Sequence, residues 1–330
     1  MGDRGLVPCL LRAPRSSKLP SMTTALFTHS ACLYHETPPG HPESADRLRA
    51  VLRALEDEAF QYLAREEAPP AAREELSRVH PAYYVDTVLK AVPEQGYGSL
   101  DPDTHLSPGS GEAMLRAAGA VVAAVDRVMS GKVKNAFCAV RPPGHHAEPT
   151  RAMGFCMFNN VAIGALHARA RHGLKRIAVV DFDVHHGNGT QAMFEEDPDL
   201  FFASSHQMPL YPGTGRPQER GRAHNIVNAA LDPGAGGTEF REAWESDVLP
   251  KLDAFNPDFI LISAGFDAHR RDPLANLNLV EADYAWVTEK VCAIAKAKCA
   301  SRVVSTLEGG YDLKALADSS VAHVKALMAA

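Results

Sequence analysis

Short apolar runs punctuate this chain, with helix-like segments between them. Ala25–Thr28, Ala136–Val140, Ile177–Asp183, Leu200–Ser204, Phe259–Ser263 and Arg302–Leu307 read as strands. They are continuous rather than alternating in polarity, which suits a sheet covered on both faces. Helices are predicted over roughly Glu43–Asp57, Ala82–Ala91, Gly111–Ser130, Asn159–His172, Thr238–Phe255, Glu281–Ala300 and Leu313–Met328. Such alternation predicts an α/β fold, a mainly parallel sheet with helices on both sides. No Pro/Gly/Ser linker and no internal repeat divides the chain, so residues 23–330 read as one domain. Residues 1–22 read as a disordered leader, with a transit peptide as the weaker alternative. Asp101–Gly111 and Met208–Arg222 are long polar loops, of the kind that carry function in compact domains.

The position of the unusual residues sharpens this picture. Asp181, Asp183 and His185 follow the run Ile177–Val180 at alternate positions, which on a strand would share one face. A single acid there would cap a loop or pair with an arginine. Three potential ligands at period two point to a divalent cation, because buried carboxylates are costly without a partner. Arg141–His146, Ala264–Asp267 and Glu308–Tyr311 likewise follow predicted strands. Open parallel sheets bind ligands at that edge, so the four groups are expected to form one site.

Asp183, His185 and Asp267 would supply two carboxylates and an imidazole to a zinc ion with an open position. Of the tandem His145 and His146, one could take a proton from water and return it to a leaving amine. Each needs an orienting partner, and Asp181 and Asn188 are suitable. Tyr311, after two glycines, could donate to an oxyanion. Phe155, after Gly154, and Tyr211 could wall a channel or simply fill the core.

Bulk composition narrows the function classes. The 330 residues are 45% hydrophobic and 22% charged, ordinary for a globular protein with a large core. A net charge of −6 argues against a general grip on nucleic acid. No apolar run is long enough to span a membrane. The six cysteines form no CxxC pair and read as free thiols in a reducing, cytoplasmic setting.

In this order, the motifs resemble the zinc-dependent histone deacetylase family, in its class II and bacterial amidohydrolase-like branch. The resemblance rests on Gly40–Glu43, Arg141–His146, Gly154–Asn160, Asp181–Thr190, Tyr211–Gly215, Ala264–Asp267 and Leu307–Tyr311. It implies the arginase–deacetylase fold, a single domain around an eight-stranded, mostly parallel sheet. It also implies one zinc at Asp183, His185 and Asp267. His146 would then be the general base and acid, His145 an electrostatic helper paired with Asp181, and Tyr311 the oxyanion donor. Gly154, Phe155, Tyr211 and Leu274 would line the acyl-lysine channel. Potassium is implied near the zinc, at oxygens of Asp181, Asp183, His185 and Ser204, although the residues by themselves give no sign of it. The related arginases use two manganese ions, and no DxD pair after Ser263 offers the extra acids.

The expected activity is hydrolysis of an acyl-amide such as N-acetyl-lysine. Small non-peptide substrates, such as acetylated amines or the xenobiotic amide dimethoate, are the alternative within enzymes. A non-catalytic ligand-binding or regulatory module is the alternative of another class, and it should have lost a ligand, the base or the tyrosine. Acetylpolyamine-preferring relatives carry a glutamate after an Asp-Pro pair. This chain has Asp272-Pro273-Leu274, which argues for a peptide-lysine substrate. A homo-oligomer is compatible with these features, and neither nucleic acid nor membrane is an expected partner.

Overall fold

Parallel pairing of buried strands builds the centre of the molecule. The computed structural model describes Met1 and residues 23–330, so the expected leader lies outside the described residues. In chain order the strands are β1 (Thr24–Thr28), β2 (Ala64–Glu67), β3 (Gly98–Ser99), β4 (His105–Leu106), β5 (Asn135–Cys138), β6 (Ile177–Asp181), β7 (Leu200–Gln207), β8 (Ile226–Leu231), β9 (Phe259–Ala264) and β10 (Val303–Leu307). The helices are α1 (Ala45–Ala54), α2 (Arg73–Leu76), α3 (Ala82–Lys90), α4 (Ser110–Met129), α5 (Asn160–His172), α6 (Asn188–Phe194), α7 (Gly237–Ala243), α8 (Leu249–Phe255), α9 (Glu281–Lys298) and α10 (Leu313–Ala329). Eight strands form one sheet in the order β2-β1-β5-β10-β9-β6-β7-β8, every pair parallel. A short antiparallel hairpin, β3–β4, stands apart.

The central strands β5, β6, β9 and β10 are buried at every position, as their continuous apolar runs require. On one face, the helices α4 and α5 approach so closely that a Cβ on Gly164 would lie 2.4 Å from Val121 and 3.1 Å from Leu261 of β9. On the other face, α10 packs against β5 and between α1 and α9. There His323 is fully buried, its Nδ1 2.6 Å from the Thr288 hydroxyl and its Nε2 2.8 Å from that of Ser305. No helix among the described residues is long and apolar enough to cross a membrane.

The differences from the sequence reading have local causes. The edge strands β2 and β8 were not anticipated. β2 is the polar run Ala-Arg-Glu-Glu, half-exposed and charged, as suits a blunted sheet edge. The helix expected from Thr238 to Phe255 is interrupted by a π-turn at Trp244–Val248, just ahead of Pro250, which lacks the N–H that a continuous ladder needs. The first helix starts at Ala45 rather than Glu43, because the Glu43 side chain is turned inward to Arg47 and Arg141. Strand β6 stops at Asp181, short of the expected Asp183. There side chains replace the ladder: Asp181 Oδ1 accepts the Asp183 N–H at 3.0 Å, and Asp183 Oδ1 that of His185 at 2.9 Å. The expectation of three ligands along one strand face is therefore corrected. Asp183 and His185 lie on a tight loop just past it.

His323 carries a pH prediction. Burial pushes its imidazole down to about 3, so below the ordinary value near 6.5 the unfolded chain takes up a proton that the folded chain refuses. Its contribution to stability is complete above pH ~6.5 and is lost as pH falls toward ~3, at about 1.4 kcal/mol per pH unit. Urea unfolding at pH 7, 6 and 5 should show falling stability, with a shallower fall in His323→Gln. The same slope in both proteins would remove this histidine from the acid response.

Candidate active site

Four neighbouring strands, β5-β10-β9-β6, end in the loops that carry the tandem histidines, Tyr311, Asp267, and Asp183 with His185. His145 and His146 follow β5, Tyr311 follows β10, Asp267 follows β9, and Asp183 and His185 follow β6. The loops enclose a cavity of about 260 Å³ lined by His145, His146, His185 and Tyr311, with Phe155, Tyr211 and Leu274 toward its walls.

The carboxylates of Asp183 and Asp267 flank His185, whose Nδ1 is 3.2 Å from Asp183 Oδ1 and 3.1 Å from Asp267 Oδ2. The donor atoms of these three buried residues all lie within 4.8 Å of one another. Backbone N–H groups fix the carboxylates: Gly309 donates to Asp183 Oδ2 at 2.8 Å and Val184 to Asp267 Oδ1 at 2.8 Å. Burial opposes the charged imidazole of His185, but the two acids outweigh it and push its pKa up to about 10. The pocket thus demands a positive charge between two acids. A cation with two carboxylate ligands and one imidazole ligand meets that demand, and the donor set fits zinc. Residue 309 must be glycine here, since a Cβ would fall 2.0 Å from Asp267 Oδ2 and 2.6 Å from Asp183 Oδ2.

Asp126, His167 and His172 bring together a second group of donor atoms. The guanidinium of Arg78 donates to His167 Nδ1 at 2.7 Å, which leaves the hydrogen on Nε2, directed at Asp126 Oδ1 at 2.8 Å. With no lone pair on Nε2, His167 is a hydrogen-bond donor and not a ligand.

The tandem histidines differ in their partners. His145 Nδ1 donates to Asp181 Oδ2 at 2.9 Å. Burial opposes its protonation, yet the Asp183 and Asp181 carboxylates push it up to about 10. His146 Nδ1 meets Asn188 Oδ1 at 2.8 Å, and the Asn188 amide is oriented by donation from Nδ2 to Glu148 at 2.8 Å. This places the His146 hydrogen on Nδ1 and leaves its Nε2 free to accept. Burial, and then the positive charge of the neighbouring His145 and at the His185 site, hold His146 well below the ordinary imidazole value, so it is neutral. The rings are 4.0 Å apart between centroids.

Tyr311 is half-buried, its ring 6.0 Å from Phe155 and covered on one side by Arg47 at 4.8 Å. Burial keeps its phenol well above the usual value and so protonated. The Tyr211 ring lies 5.2 Å from His146 and is partly exposed, at the cavity wall rather than in the core. Phe155 takes a left-handed conformation, φ 68°, next to Gly154, and this turn brings it to the opposite wall. Ser204 pairs with Asp181 across β6 and β7, and its hydroxyl is 2.9 Å from His206 Nδ1.

Sequence reasoning missed a layer of buried charge beneath the site. Arg141 grips Glu43 through Nε at 2.5 Å and Nη2 at 2.6 Å. Arg47 also binds Glu43, and donates to the carbonyls of Gly310 at 2.6 Å and Glu308 at 2.5 Å. One Asp272 carboxylate accepts from Tyr311 N–H at 2.7 Å and Leu274 N–H at 3.0 Å, tying the phenol to the channel wall. Glu43 and Arg141 stood inside the matching motifs. Arg47 looks like any helical arginine until the fold buries it.

The chain is similar to known proteins over most of its length. The histone deacetylase domain model matches residues 41–327. The chain is 39% identical to the histone deacetylase-like amidohydrolase of Pseudomonas aeruginosa, covering 87% of this chain and 81% of that protein. It is 38% identical to the chloroplastic histone deacetylase 14 of Arabidopsis thaliana, covering 98% of this chain and 82% of the relative. The crystal structure of the HDA15 HD domain superposes with a TM-score of 0.88 at 36% identity, over 93% of this chain and 88% of that one.

Proposed function

Because this chain belongs to the histone deacetylase family, with its arginase–deacetylase α/β fold, we propose that it is a zinc-dependent hydrolase of acyl-amides such as N-acetyl-lysine. The convergence of His146, His185 and Tyr311 in one cavity, with the Asp183 and Asp267 carboxylates grouped around His185, supports this reading. Asp183, His185 and Asp267 would hold the zinc, which when bound supplies a Lewis acid for the acyl oxygen and acidifies a water.

The protein's own groups do the rest. Neutral His146 takes the proton of the attacking water at Nε2, Asn188 having fixed its other nitrogen. Cationic His145, anchored by Asp181, offsets the negative charge that develops on the acyl carbon's oxygens. The Tyr311 hydroxyl donates to that oxyanion. His146 then passes its proton to the amine nitrogen, and the C–N bond breaks. Phe155 and Tyr211 present apolar walls to the methylenes of an acyl-lysine chain and exclude water from them. Retention of both histidines, the tyrosine and all three ligands favours an enzyme over a binding module of the same fold. Potassium is a further part of the proposal. Among the described residues no backbone N–H donates to the carbonyls of Asp183 and His185, which leaves these oxygens free for a cation beside Asp181 and Ser204. A cytoplasmic, bacterial setting stays part of the same reading.

A substrate panel tests the proposal. Acetyl-lysine peptides, longer acyl-lysines, acetylpolyamines and simple amides should be assayed with and without a chelator. Turnover of acetyl-lysine peptides, abolished by the chelator and restored by zinc, is expected. Preference for simple amides would move the assignment to small substrates, and no turnover of any would leave the binding module. Leu274 lines the cavity wall without charge, so Leu274→Glu should raise activity on acetylpolyamines relative to peptides. An unchanged ratio would take Leu274 out of substrate choice.

A further inference from the structure

Glu308 is fully buried behind the site and touches no part of the cavity. Its Oε2 accepts from two successive backbone N–H groups, Gly144 at 2.6 Å and His145 at 3.2 Å. Its Oε1 accepts from the Ser263 hydroxyl at 3.3 Å. Its own N–H is bound by the Ala264 carbonyl at 2.9 Å, and its carbonyl by Arg47. The next residue, Gly309, holds Asp183 Oδ2. One side chain thus joins the ends of β5, β9 and β10, and the same turn grips a carboxylate of the β6 loop.

We propose that Glu308 is the positioning residue that sets the height of the tandem-histidine loop against the Asp183–His185–Asp267 cluster. The loop needs such an anchor. Pro142 and Pro143 bring no N–H of their own, so Gly144 and His145 supply the first backbone donors beyond the proline pair. A buried N–H left without an acceptor is costly, and two consecutive ones converging on a single oxygen lock the direction of the chain. Asp181 and Asn188 orient the two rings, but neither fixes the backbone from which the rings hang. Glu308 does so from below. The role is one of reach and acceptance, not of charge.

That distinction sets the experiment, whose kinetic arm rests on the reaction proposed above. In Glu308→Gln the amide oxygen can stay on Gly144 and His145, while Nε2 faces Ser263, whose hydroxyl turns from donor to acceptor. In Glu308→Asp the charge is kept but the carboxylate retreats by one carbon–carbon bond, about 1.5 Å. Glu308→Gln is expected to hold kcat within about threefold of the parent. Glu308→Asp is expected to lower kcat about 10²-fold, the scale for a misplacement near 1 Å, with KM and zinc content close to the parent's. Amide hydrogen exchange at Gly144 and His145 should speed up about tenfold or more in Glu308→Asp and stay slow in Glu308→Gln. Glu308→Asp performing as well as Glu308→Gln, or equal protection of both amides in all three proteins, would overturn the role. Should the parent turn over no acyl-amide, the proposed reaction falls, and the exchange rates still decide the anchor.

Discussion

Asp267→Ala is expected to strip the protein of zinc, and with it of activity. Asp267 is fully buried, and its Oδ2 faces His185 Nδ1 at 3.1 Å while Oδ1 is engaged by Val184 N–H at 2.8 Å. The substitution removes one of two carboxylates from a three-residue donor set. Loss of a partner that only supports a ligand weakens metal affinity by about 10–100-fold, so loss of a ligand should exceed that. Elemental analysis after dialysis should fall from about one zinc per chain to near zero, with turnover at background. Asp267→Asn separates the two roles of this side chain. Its amide oxygen can still accept from Val184, so the loop after β6 keeps its support while the charge is gone. It should fold like the parent and still lose zinc. Parent-like zinc content in both variants would break the ligand assignment.

Tyr311→Phe should cost about 10²–10³ in turnover, the usual scale for one oxyanion donor, and leave zinc content unchanged. The ring contacts with Arg47 and Phe155, and the bond from Tyr311 N–H to Asp272, do not involve the hydroxyl. Phenylalanine should therefore stand in the same place. KM should move little, because a hydroxyl that answers charge on the acyl oxygen matters most as that charge develops. Equal turnover in parent and variant would remove Tyr311 from the mechanism. A fall in zinc content alongside turnover would show that the loop, and not the hydroxyl, had been disturbed.

The two experiments probe residues of unequal legibility. Asp267 was one acid among many, distinguished only by its place just past an apolar run. The tyrosine was one aromatic after two glycines. Neither has local chemistry that would single it out. The layer that supports them was less legible still. Arg47 and Asp272 bind backbone groups of residues far away in sequence, Gly310 and Tyr311, and no periodicity encodes such pairing. Glu308 stood in a noted motif, but its role lies in an oxygen shared by the N–H groups of Gly144 and His145, which only appears once β5 and β10 lie side by side. The edge strand β2 escaped for the opposite reason. A strand with one free edge need not be continuously apolar.

By itself the sequence determined the layered α/β class, the interior strands and which loops carry chemistry. Continuous apolar runs have few other ways to bury both faces, and charged groups at their ends must face an opening or each other. It also offered the donor types of the proposed metal site, two carboxylates and an imidazole. The tertiary structure alone decided that β5, β10, β9 and β6 are neighbours, although they lie far apart along the chain. It ended β6 at Asp181, so that His185 turns toward the cavity while Asp181 turns to His145. The physical reason is the same in both cases. Burial of apolar surface follows local composition and can be read residue by residue. Strand order and the pairing of buried charges depend on contacts between distant segments, and only the folded chain brings these within hydrogen-bonding range.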